Sequence, residues 1–84
     1  MKSRQFIQSL EKGLLVLKAF SASQPALSVS DVAVACDMSM ATVHRYLFTF
    51  KELGYLEQEA ETRRYRLTPK ILGIGFSVLN TMDL

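Results

Sequence analysis

The chain has 84 residues, 49% of them hydrophobic, with ten Lys and Arg against eight Asp and Glu for a net charge of +2. That length holds one domain with a modest core, and the charge is too mild to name a polyanionic partner by itself. The single cysteine, Cys36, excludes an intramolecular disulfide framework, and no apolar run approaches the ~20 residues that cross a bilayer.

The first stretch, MKSRQFIQSLEKG, turns polar again too soon for a signal-peptide core. With the lone cysteine it reads as a soluble, cytoplasmic chain with no membrane partner. A first helix is expected to open at Ser9 as its N-cap, with Leu10, Leu14 and Leu17 forming a buried stripe. The polar loop from Ser21 to Pro25 ends it. Ser28-x-x-Asp31 has the form of a capping box with Asp in the usual Glu or Gln position, so a short second helix is predicted over Val29 to Cys36. Asp31 is its only charge, which predicts a helix largely enclosed by neighbours, with Cys36 as a small buried hydrophobe.

Asp37 to Ser39 forms a three-residue turn, and Ser39 caps a third helix running from Met40 to Leu53. Val43, Leu47, Phe50 and Leu53 mark its core side with Tyr46 flanking, and Gly54 is the expected stop. A short helix, a tight turn and a longer helix make the spacing of a helix-turn-helix, about residues 28–48. Beyond Gly54 the period becomes two. If Leu56 pairs with Leu67 and Gln58 with Tyr65, Glu57 faces Arg66 and Glu59 faces Arg64 across a hairpin turning near Glu61 and Thr62. Thr68-Pro69 then starts a last helix whose stretch from Ile71 to Met82 carries no charge. Apolar nearly all round, that helix needs cover, and a second subunit or domain supplies it more readily than this small domain does. Ile71, Leu72, Ile74, Val78 and Leu79 are its candidate dimerisation residues. The fold class expected is mainly α with a small two-stranded β-wing. In that winged helix-turn-helix, three helices make the core over residues 6–68, the wing spans about 55–67, and a linker or dimerisation helix occupies 69–84.

Rotating the third helix by roughly 100° per residue from Val43 places Ala41 and Arg45 on the opposite side, flanked by His44, Phe48 and Thr49. In a helix-turn-helix the first turn of this helix enters the major groove. Ser39, Met40, Ala41 and Thr42 form that turn and contain no acid. Ala41 and Thr42 can meet thymine methyls, and Arg45 can grip guanine O6 and N7. His44 sits on the DNA side, while Phe48 suits either the sugar-phosphate backbone or another protein chain. The amide groups at the starts of the second and third helices can hold phosphates, helped by Ser28, Ser30 and Ser39. In the wing, Arg63 lacks an obvious partner and is the freer DNA contact, with Arg64 beside it but faced by a glutamate.

No catalytic constellation, metal site or cofactor is expected. His44 has no evident base, nucleophile or metal-ligating companion, and no glycine-rich phosphate loop occurs. The alternative to DNA reading is a winged-helix protein-interaction module docking through Met40 and Phe48.

The segments FIQSLEKGLLVLKAF, LSVSDVAVACDMSMATVHRYLFTFKELGYLE and RRYRLTPKILGIGF together resemble the N-terminal winged helix-turn-helix of the IclR family of bacterial transcription regulators. The more specific pieces are Gln8-Ser9-Leu10 with Gly13 and Leu14, then Ser39-x-x-Thr42-x-x-Arg45-x-Leu47, and Leu53-Gly54-Tyr55. The resemblance implies sequence-specific binding of double-stranded operator DNA as a homodimer or dimer of dimers. It also implies a C-terminal domain that senses a small-molecule effector, absent from this chain, which reads as an excised DNA-binding domain. Two positions depart from the family's habit. Asp37 stands where glycine is common, and Met40 where arginine is frequent at the start of the reading helix.

Overall fold

The computed structural model describes residues 3–82. In chain order it contains α1 (Gln8–Lys18), β1 (Ala26–Leu27), α2 (Val29–Cys36), α3 (Met40–Leu53), β2 (Leu56–Gln58), β3 (Tyr65–Leu67), a 3-10 turn (Pro69–Ile71) and α4 (Leu72–Thr81). Residues 83 and 84, assigned above to the linker segment, lie outside the described residues. The core joins Val16 and Phe20 from α1 and its end, Val32 and Ala33 from α2, Val43 and Leu47 from α3, and Leu27, Leu56 and Tyr65 from the strands. Burial of these apolar groups is the main favourable term for so short a chain.

The local signals at α2 and α3 hold as expected. Ser28 and Asp31 form a reciprocal capping box, with Ser28 N donating to Asp31 Oδ2 at 3.0 Å and Asp31 N donating to Ser28 Oγ at 3.1 Å. Asp37 ends α2 in the left-handed conformation at φ 54°, which a short polar side chain tolerates. Gly54 ends α3 at φ 91°, where a side chain would be strained.

Among the helices, several expectations need correction. Helix α1 starts at Gln8 with Ile7 as its N-cap and no side-chain cap, so Ser9 lies inside the helix. Its buried face runs through Gly13, Val16 and Phe20, with Leu17 half-buried, while Leu10 and Leu14 face outward. Gly13 is where α1 meets α3: a Cβ there would lie 3.4 Å from Phe50 Cζ and 3.5 Å from Tyr46 Cε1, at ordinary contact distance, so the two rings pack against this side of α1. On α3, Leu53 is exposed rather than buried, because the helix ends beside Gly54 as the chain leaves for β2. Helix α2 is open on one side, with Val34 exposed and Cys36 only half-buried, its thiol donating weakly to the Leu15 carbonyl at 3.6 Å.

The wing has the expected register, Leu56 opposite Leu67, Glu57 opposite Arg66 and Gln58 opposite Tyr65. It is three-stranded rather than two-stranded, in the order β1-β3-β2, because Ala26 and Leu27 pair with Arg66 and Tyr65. That extra strand ties the loop before α2 to the wing. The ion pairs also differ from straight cross-strand pairing. Arg66 reaches diagonally to Glu59, Nη2 to Oε1 at 2.6 Å, and Arg64 turns to Asp31 of α2 at 3.8 Å.

Thr68 caps the 3-10 turn that leads into α4, and Pro69 follows it as the first helical residue. This corner is bonded to the end of α3. Thr68 Oγ1 donates to the Gly54 carbonyl at 2.6 Å, and Lys70 Nζ donates to the Leu53 carbonyl at 2.7 Å. The ammonium also stands 5.0 Å from the centre of the Tyr55 ring, a cation–π distance. Beyond this corner Leu72, Ile74, Val78 and Leu79 are all exposed, and Ile71 is half-buried.

Candidate nucleic-acid interface

The exposed side of α3 is the side opposite Val43 and Leu47. Ala41, His44, Arg45, Phe48 and Thr49 lie on it and face outward, with Thr42 half-buried at its edge. Met40, one and two turns before Val43 and Leu47 on their own side, is exposed because it begins the helix. No side chain of the first turn is acidic. The helix therefore presents an uncharged tip, slender at Ala41 with the longer Met40 beside it, and His44 and Arg45 follow one turn later. The Arg45 carbonyl accepts from Thr49 Oγ1 at 2.8 Å, so Thr49 is held on its own helix. Arg45, Thr42, Tyr46 and Thr49 share a shallow depression with Ser9 of α1. Ser9, expected from the sequence as a cap, is the α1 residue that stands beside this face.

Ser39 is committed internally. Its Oγ accepts from Thr42 N at 3.1 Å and donates to Thr42 Oγ1 at 2.9 Å. Ser28 Oγ receives the Asp31 amide and lies 3.1 Å from Ser30 Oγ. Ser30 is exposed and so is the better placed of the pair to reach a phosphate. The amides of Val29 and Ser30 at the start of α2, and of Met40 and Ala41 at the start of α3, occupy positions where no helical carbonyl is in reach, and the helix dipole favours an anion there. Hydrogen bonds to Ser28, backbone first and then hydroxyl, hold the Asp31 carboxyl below the usual carboxylate range, with Arg64 adding to the effect.

In the wing, Arg63 takes the left-handed conformation at φ 64° in the turn between β2 and β3. Its amide donates to the Glu59 carbonyl at 2.9 Å and its carbonyl accepts from Gln58 Nε2 at 3.0 Å, which fixes the backbone. The Arg63 guanidinium makes no hydrogen bond or ion pair among the described residues. Arg64 is less available than expected, since Nη1 donates to the Ala26 carbonyl at 3.4 Å besides approaching Asp31. Among the described residues no group of three His, Cys, Asp or Glu side chains could hold a metal ion, and no helix is long and apolar enough to cross a membrane.

Residues 9–60 match the model of the IclR helix-turn-helix domain. The chain belongs to the IclR family of DNA-binding regulators. The transcriptional regulator XynR of Escherichia coli strain K12 is 32% identical to it over 78 residues, covering 93% of this chain and 31% of that protein. KdgR of Dickeya chrysanthemi is 32% identical over 83 residues, covering 99% of this chain and 27% of its own length. The crystal structure of an IclR family transcriptional regulator from Brucella abortus superposes with a TM-score of 0.93 at 33% identity, covering 98% of this chain and 31% of that one. This IclR-type domain thus spans about a third of the length of the relatives it matches. The relatives are transcription regulators, and they do not favour a winged-helix module without DNA readout.

Proposed function

We propose that this domain reads double-stranded operator DNA on behalf of a bacterial, metabolite-responsive transcription regulator. The observation that carries the reading is the outward face of α3, where an uncharged first turn precedes the exposed side chains of His44 and Arg45. The tip enters the major groove and Arg45 takes a base edge. The starts of α2 and α3, with Ser28, Ser30 and Ser39 around them, meet phosphates. Arg63, with Arg64 behind it, reaches the duplex from the wing. Residues 6–68 form the reading unit and 69–84 the connecting and dimerising segment. Two copies pair through Ile71, Leu72, Ile74, Val78 and Leu79, either as a dimer or as a dimer of dimers, and the effector acts through a further domain.

One copy neutralises few phosphates, so its affinity is low and salt-sensitive, and pairing multiplies it. The test is selection from random duplex DNA, followed by titration of the winning site with wild type and Arg45→Ala at two salt concentrations. Binding should fall with salt, and Arg45→Ala should flatten preference at one base. A selected site that Arg45→Ala reads as the wild type does refutes the assignment of Arg45. Binding indifferent to salt points to apolar docking on a protein instead. Sedimentation of Ile74→Ser with Leu79→Ser tests the pairing face, since loss of self-association is expected.

A further inference from the structure

The first turn of α3 has one long exposed side chain, that of Met40, which is 54% exposed. Ala41 beside it is short. Ser39 Oγ is used both as acceptor and as donor on Thr42. Met40 also borders a shallow depression between α2 and α3 that includes Val34 and Met38, and Val34 is 84% exposed. The polarizable thioether at the tip therefore stands beside the apolar side chains of Ala33, Val34 and Met38, with Ser30, Asp37 and Ser39 on the same rim, ahead of the basic residues one turn later.

In the major groove only one base-edge group is apolar, the C5-methyl of thymine. We propose that Met40 determines specificity by packing on a pyrimidine C5-methyl, so that the half-site carries thymine where the α3 tip meets the groove floor. This rests on the DNA-reading proposal above and adds to it the chemical class of base the tip selects.

The experiment replaces each thymine of the selected site by uracil, one at a time, which removes the methyl and leaves base pairing intact. Binding of the 84-residue chain is titrated for wild type and Met40→Ala at one salt concentration. At one position uracil should weaken wild type about fourfold, the factor for one buried methylene-sized group. Met40→Ala should bind the thymine and uracil sites alike at that position. 5-Methylcytosine placed there, paired with guanine, should bind wild type better than cytosine does. Met40→Arg should move the preference there toward guanine, whose O6 and N7 it can grip. Unchanged thermal melting of the variants shows that folding is not the cause. A selected site indifferent to uracil at every thymine overturns the Met40 assignment and leaves the DNA-reading proposal standing. So does Met40→Ala that keeps the full uracil penalty. Failure to select any site overturns the DNA-reading proposal and this inference with it.

Discussion

Leu47 and Leu53 stand on the same helix and share its apolar period, yet Leu47 is 0% exposed and Leu53 is 53% exposed. Truncating each to alanine keeps helix propensity high, so the comparison isolates burial. For Leu47→Ala the loss combines transfer free energy with a cavity among Val16, Val32 and Val43, about 2–5 kcal/mol. Leu53→Ala removes a side chain already half in water, and should cost about 1 kcal/mol or less. A domain of this length has roughly 4–13 kcal/mol to lose. With m near about 1 kcal/mol/M, a loss of ~3 kcal/mol moves the urea midpoint by about 3 M. Urea unfolding followed by circular dichroism, at two protein concentrations, measures both. Equal losses for the two variants at the lower concentration would refute the assignment of the core. A Leu53→Ala loss that grows with concentration would instead place Leu53 in a contact between copies.

At Gly13, alanine fits at ordinary contact distance from Phe50 and Tyr46, and should stabilise by about 0.5–1 kcal/mol. Gly13→Val adds branches against the same rings and should destabilise by about 1–3 kcal/mol, so thermal melts of the two variants should shift in opposite directions. The Asp31 carboxyl has its pKa lowered in the folded state, so its contribution is present above the usual carboxylate range and is lost as pH falls through the lower folded value. Asp31→Asn should therefore flatten part of the decline in melting temperature on going to pH ~3, and a decline as steep as wild type's would refute the role of the capping box. Lys70→Met removes the ammonium from the end of α3 and should cost about 0.5–1 kcal/mol, an effect that shrinks with added salt. A salt-independent loss would mean that packing on Tyr55 rather than charge holds the corner.

Much of this architecture is legible in residue types with local rules. Ser28 and Asp31 declare the start of α2, Gly54 the end of α3, and alternation across Leu56, Gln58, Tyr65 and Leu67 sets the wing register. What escaped depends on tertiary context. Strand β1 is two residues long, too short to show alternation, and exists because β3 has an open edge. In α1 three leucines suggested the buried face, but the face that packs on α3 runs through Gly13 and Val16, and Gly13 carries no hydrophobic signal. The reading face was legible as the complement of the core stripe on α3. The internal commitment of Ser39 and the tether of Arg64 to Ala26 were not, since both depend on where neighbouring hydroxyls and carbonyls fall.

The bonds from Thr68 and Lys70 to Gly54 and Leu53 join the root of α4 to the far end of α3. Met40 lies at the other end of that 14-residue helix, about 20 Å away at 1.5 Å per residue. The helix is thus a lever arm fastened at its base. Because it is packed into the core, the domain turns with it. A tilt of about 10° imposed through α4 sweeps the tip by about 3.5 Å, close to the spacing of one base step along a strand. On the proposed DNA reading, a small rotation at the exit helix is therefore enough to move Met40 by about one base step.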